Sequence, residues 1–140
     1  MTATVTVQGK FATDGGNLYD AILNPEIASK FLFRTPQGTV VRAESDARVG
    51  GTYTIVERRD GKDVLHTGEY LELERPSRIV FTLVVPEYSS ESSTVAMDIV
   101  PAGEGCAVTL THTGVLEKYA ESTREGWEQI LVGAQRALEA

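Results

Sequence analysis

The chain has 140 residues and a formal net charge of −7, which fits one domain able to bury a core without staples. Its acidity argues against a nucleic-acid backbone or an anionic membrane surface as partner, and no apolar run approaches the roughly 18 residues a membrane span needs. The single cysteine, Cys106, excludes an internal disulfide framework, and the first residues alternate polar and apolar instead of forming a leader, so one soluble, cytoplasmic domain over 1–140 is expected.

Thr2 to Phe11 alternates, with Val5, Val7 and Phe11 set apart by Thr4, Thr6 and Lys10, and predicts a strand. Asp14 is placed to cap a short helix to Leu23 that buries Leu18 and Ile22, and Asn24-Pro25 opens a second from Pro25 to Phe31. From Thr39 the period becomes two. Strands are predicted over Thr39 to Asp46, Thr52 to Arg59, Val64 to Leu73, Ile79 to Val85, Ser93 to Val100 and Cys106 to Thr113, with Asp60-Gly61 as a hairpin signal. Ser122 to Ala140 is the one long helical stretch. Trp127, Ile130, Leu131, Ala134 and Leu138 stack into an apolar stripe, and Ser122 with Glu125 has the spacing of a capping box. Such a stripe needs an apolar partner, and a curved sheet is the available one. Gly126 and Gly133 are seven apart and share a flank beside the stripe; they either admit close packing or leave open volume.

Alternate residues of a strand share a face. Tyr53 and Ile55, Leu71 and Leu73, Phe81 and Leu83, Met97, and Leu110 are therefore expected inside. On the same parity Glu69 accompanies Leu71 and His112 accompanies Leu110, so two ionisable groups are expected to face inward, where each needs a partner or a wet cavity. His66 and Tyr70 fall on the opposite parity and are expected at the surface. The run Glu57-Arg58-Arg59-Asp60 reads as a solvated hairpin end. Dinucleotide, P-loop, zinc-protease and nucleophile-elbow motifs are missing. With only His66, His112 and Cys106 as soft ligands, no metal site and no cofactor are expected. Cys106 reads as a small buried hydrophobe.

Val49-Gly50-Gly51-Thr52-Tyr53, Asp60-Gly61, Gly68-Glu69-Tyr70-Leu71-Glu72-Leu73 with Pro76 and Arg78, and Ile79-Val80-Phe81-Thr82 together resemble the activator of Hsp90 ATPase homologue 1-like domain. Ser93-Thr94-Val95, His112-Thr113-Gly114, Glu125-Gly126-Trp127 and Ile130-Leu131 extend the likeness over nearly the whole chain. The resemblance implies membership of the START-like, or Bet v 1-like (SRPBCC), superfamily. Its fold is α+β, a helix-grip: an antiparallel sheet wrapped around a long C-terminal helix, with two short helices after the first strand and a cavity between helix and sheet. Two positions depart from the family pattern. Phe31 stands where relatives often have tryptophan, and Leu83 replaces a common aromatic residue; both alter the shape of a pocket.

Three functions follow. The first is a small-molecule binding protein whose cavity takes an apolar or aromatic ligand, walled by Phe31, Tyr53, Ile55, Leu71, Phe81 and Leu83 on one side. Met97, Leu110, Trp127 and Leu131 complete it, with Glu69 and His112 orienting the ligand. The second is an enzyme of the cyclase or dehydratase kind on a polyketide-like substrate, with His112 or Glu69 as general acid or base. The third is an interaction module, either a stress-related Hsp90 co-chaperone or a homodimer. The binding reading is preferred to the enzyme because no nucleophile and base occur at diagnostic spacing.

Overall fold

A computed structural model describes residues 1–35 and 37–139. They form seven strands, β1 (Thr2–Phe11), β2 (Thr39–Ser45), β3 (Thr52–Arg59), β4 (Lys62–Glu74), β5 (Arg78–Leu83), β6 (Ser93–Ala102) and β7 (Gly105–Leu116). Every pairing is antiparallel, and the order β1-β7-β6-β5-β4-β3-β2 makes a meander with the first strand returned to its far end. Helices α1 (Gly15–Leu23) and α2 (Pro25–Ala28) separate β1 from β2, and α3 (Ala120–Glu139) follows β7 through a 3-10 turn at Glu117–Tyr119. This is a helix-grip: α3 packs on β1 and β7, and one apolar core runs between helix and sheet.

Local chemistry explains most boundaries. Asp14 caps α1 by accepting from the Asn17 amide at 2.8 Å, and Asn24 caps α2 by accepting from the Glu26 amide at 3.0 Å, with Pro25 at the first helical position. Asp60 and Gly61 both take positive φ, 52° and 78°, as the tight turn between β3 and β4 requires.

Three expectations are corrected. α2 stops at Ala28, short of Phe31, because the Lys30 and Phe31 amides bond to carbonyls three residues back and the chain leaves the helix through Phe33 at φ 56°. α3 begins before Ser122, since the 3-10 turn runs straight into it. Ser122 Oγ donates back to the Tyr119 carbonyl at 3.1 Å, so the capping box is not formed. The expected helix end, Ala140, lies outside the described residues.

The third correction concerns β4. His66 and Tyr70 are buried, whereas Glu69 and Leu71 are exposed, the reverse of the expected parity. The register with β5 shifts between Tyr70 and Glu72. This bulge changes the phase of the strand, so Leu73 returns to the core while the residues before it follow Val64 and His66 inward. β3 fixes that phase, because inward Ile55 and Glu57 lie opposite His66 and Val64.

Candidate functional site: a cavity under the start of the last helix

The apolar stripe of α3 meets the sheet along only part of its length. Leu131 packs so close to β1 that a Cβ on Gly9 would lie 3.2 Å from its Cδ1, and Gln135 ties the helix to the Lys10 carbonyl at 2.7 Å. Two turns earlier the helix presents Gly126, where an added Cβ would meet nothing within 4 Å. The space below is a cavity of about 490 Å³. Its walls include Phe33, Leu83, Trp127 and Ile130, and its polar groups include His66, His112, Ser93, Arg59 and Tyr88. A volume of this size matches small-molecule sites, which are lined mainly by apolar side chains with a few placed polar ones.

His112, on β7, is the centre of a hydrogen-bonded relay. Trp127 Nε1 donates to His112 Nδ1 at 3.0 Å, and His112 Nε2 lies 2.6 Å from Ser93 Oγ. An indole N–H only donates, so Nδ1 must be the acceptor and the imidazole proton sits on Nε2, pointing at Ser93. The Ser93 hydroxyl in turn donates to the Leu83 carbonyl at 3.3 Å. Burial holds the ring neutral, pushing its pKa down to about 4. A serine beside a histidine suggests a nucleophile and its base, but the proton is on the wrong nitrogen. To accept a proton from Ser93 the ring would first have to adopt the other tautomer, with its Nδ1–H facing the Trp127 N–H.

Phe33 and His66 form the opposite wall. Their rings stack at 4.5 Å between centroids and 10° between planes, and Phe33 meets Trp127 edge-on at 5.5 Å. A positive φ at a phenylalanine is strained, and here it accompanies a ring presented to the cavity. His66 Nδ1 is buried and lacks a hydrogen-bond partner among the described residues. Burial pushes the His66 pKa down to about 4 as well.

The polar end of the cavity is built on β3. Alternation places Tyr53, Ile55, Glu57 and Arg59 on the inner face, and Glu57 is 0% exposed. Its Oε2 accepts from the Thr35 amide at 2.6 Å and the Thr35 hydroxyl at 2.7 Å. Its Oε1 accepts from Arg59 Nε at 3.0 Å and also from Arg59 Nη2. Burial acts to raise the carboxyl pKa, but the Thr35 donors and the Arg59 guanidinium outweigh it and hold Glu57 below its ordinary value. The backbone makes room for this carboxylate, since a Cβ on Gly38 would collide with it. Arg59 Nη1 reaches the Tyr88 hydroxyl at 3.1 Å.

Of the residues expected to wall a cavity, Leu83, His112 and Trp127 border this one. Tyr53, Ile55 and Phe81 border a separate recess of about 20 Å³, room for a single water. Phe31, Met97, Leu110 and Leu131 are buried in the core instead, and Glu69 and Leu71 turn to solvent because of the β4 bulge. Cys106 is buried at the start of β7, with its thiol pKa pushed up by burial. Sequence reasoning missed His66 and Glu57, placing one at the surface and one in a solvated turn. The available signal was the alternation on β3, which carries Glu57 inward after Tyr53 and Ile55. Among the described residues no group of three or more His, Cys, Asp or Glu side chains could hold a metal ion, and no helix is long and apolar enough to cross a membrane.

The family model described as Activator of Hsp90 ATPase homolog 1-like protein matches residues 13–139. Among solved structures, a protein from Chromobacterium violaceum superposes with a TM-score of 0.90 at 23% identity, covering 98% of this chain and 97% of that one. The AHSA1-like protein from Aeromonas hydrophila gives 0.83 at 16% identity, with 98% and 92% covered. CalU16 from Micromonospora echinospora gives 0.75 at 18% identity, with 97% and 76% covered. At these identities the likeness establishes the fold alone. A search of curated proteins finds no match.

Proposed function

Since the chain belongs to the activator of Hsp90 ATPase homolog 1-like family, within the START-like superfamily, we propose that it is a binding protein for an apolar or aromatic small molecule held between α3 and the sheet. The observation that carries this reading is the roughly 490 Å³ cavity beneath Gly126, bordered by Trp127 and Phe33. Binding draws on desolvation of the rings and of the Leu83 and Ile130 side chains, at about 25 cal/mol per Å² of apolar surface covered. Polar groups that border the same space, Arg59 and Tyr88 among them, orient the ligand.

The enzyme alternative loses its candidate groups. Both ring nitrogens of His112 are engaged, and Glu69 lies outside the cavity. The test is occupancy. N-phenyl-1-naphthylamine, a neutral dye that brightens in apolar surroundings, should bind the wild type saturably at one site and quench Trp127. Gly126→Leu, which projects a side chain into open space, should abolish binding while leaving the circular dichroism unchanged. Non-saturable dye uptake, or binding unaffected by Gly126→Leu, overturns the reading.

A further inference from the structure

We propose that the ligand is anionic: an apolar or aromatic body bearing a carboxylate, whose charge is received by Arg59 and the Tyr88 hydroxyl at the polar end of the cavity. This rests on the binding reading above and names the class of ligand for the same site.

Glu57 is costly to bury. A carboxylate with no solvent exposure forfeits its hydration, and a buried ion pair seldom returns more than it loses. Here the Thr35 and Arg59 donors outweigh that loss. In return the carboxylate fixes the guanidinium side-on through Nε and Nη2, while Thr35 saturates its other oxygen. What the assembly delivers is a rigid, planar arginine on a cavity wall, and that is the geometry suited to a carboxylate.

Of the five guanidinium N–H groups, two serve Glu57 and one serves Tyr88, leaving two. The Tyr88 oxygen accepts from Arg59, so its own proton is free for another acceptor. Arg59 and Tyr88 both border the cavity and touch each other. Together they keep three donors not committed to these partners, and an acceptor-only group answers such a set best. Arg34 also borders the cavity, but its Nε and Nη1 are spent on the Gly38 and Lys30 carbonyls. The bordering acids, Glu91 and Glu125, are exposed at the rim, where water screens them.

The experiment compares two probes of nearly one shape, 2-naphthoate and 2-naphthamide, by calorimetric titration of the whole chain. The carboxylate should bind the wild type at least tenfold more tightly than the amide. Arg59→Gln should reduce that preference to within twofold, and Tyr88→Phe, at an exposed position, should reduce it about threefold. Equal affinities in the wild type, or a preference left unchanged by either variant, overturn the anion anchor and leave the cavity reading standing. If neither probe binds, both fall. Should Arg59→Gln fail to fold, the wild-type pair and Tyr88→Phe decide.

Discussion

One helix relates to one sheet in two ways, and its two glycines mark the difference. At Gly133 the missing Cβ is a matter of clearance, since Phe31 Cβ lies 3.2 Å from where that atom would stand. At Gly126 nothing is near, and the missing side chain is part of the cavity's volume. Around Gly133 the helix packs closely, with Leu131 and Ala134 buried in the core. Around Gly126 helix and sheet stand apart, and His66, His112, Glu57 and Arg59 gather in or beside the gap. Binding capacity is thus confined to the end where packing is incomplete, while the closed end holds the helix in place.

The sharpest way to break that comparison is acid. Both cavity histidines are buried with pKa values pushed down to about 4, whereas in the unfolded chain they would bind protons near 6.5. Between those values the unfolded state holds more protons, so stability is full above about pH 6.5 and falls as the pH drops through that window. The loss is roughly 3 kcal/mol per ring. Glu57, held below its usual range, adds its own loss only at still lower pH. Urea unfolding from pH 7 to pH 4 should show this decline, and amide exchange should show the open end of α3 loosening first. Stability flat from pH 7 to pH 5 would sink the claim that the two histidines at the open end are buried in the neutral form.

The closed end was the legible one. The alternation of β1, the Asn24-Pro25 cap, the Asp60-Gly61 turn and the stripe of α3 are signals in which residues a few positions apart set the geometry. His112 belongs with them, because β7 alternates without a break through Cys106, Val108 and Leu110. The open end depends on distant partners. The phase of β4 is decided by a bulge against β5, so Glu69 and His66 exchange faces. Glu57 resembles a surface charge until Thr35, 22 residues away, is brought to it. Whether a helical glycine meets a side chain or a void depends on what lies opposite. For Gly133 that is Phe31, carried there by the early end of α2.

A smaller effect separates the hydrogen bond from the ring at the open end. Trp127→Phe keeps an aromatic wall but leaves His112 Nδ1 without its donor, a buried unsatisfied group costing about 2 kcal/mol. The freed nitrogen can then take a proton, so the His112 pKa should move up from about 4 toward the ordinary value. Ring chemical shifts followed against pH would show it. An unchanged His112 titration would mean that burial alone, without the indole N–H, holds the ring neutral.

The finest test uses the glycines themselves. Replacing glycine by alanine inside a helix relieves about 1 kcal/mol of backbone cost, and that gain is common to both positions. At Gly126 nothing opposes it, so Gly126→Ala should stabilise by roughly 0.5–1 kcal/mol and trim the cavity by one methyl group. At Gly133 the new methyl must share space with Phe31 Cβ, an atom fixed directly to the backbone and unable to swing aside. Overpacking there should cancel the propensity gain or exceed it, so Gly133→Ala should be neutral to destabilising. The difference between the two variants in chemical denaturation, with the shared propensity term removed by subtraction, measures how differently the helix sits at its two ends. Equal gains at both positions would mean that the closed end has as much slack as the open one.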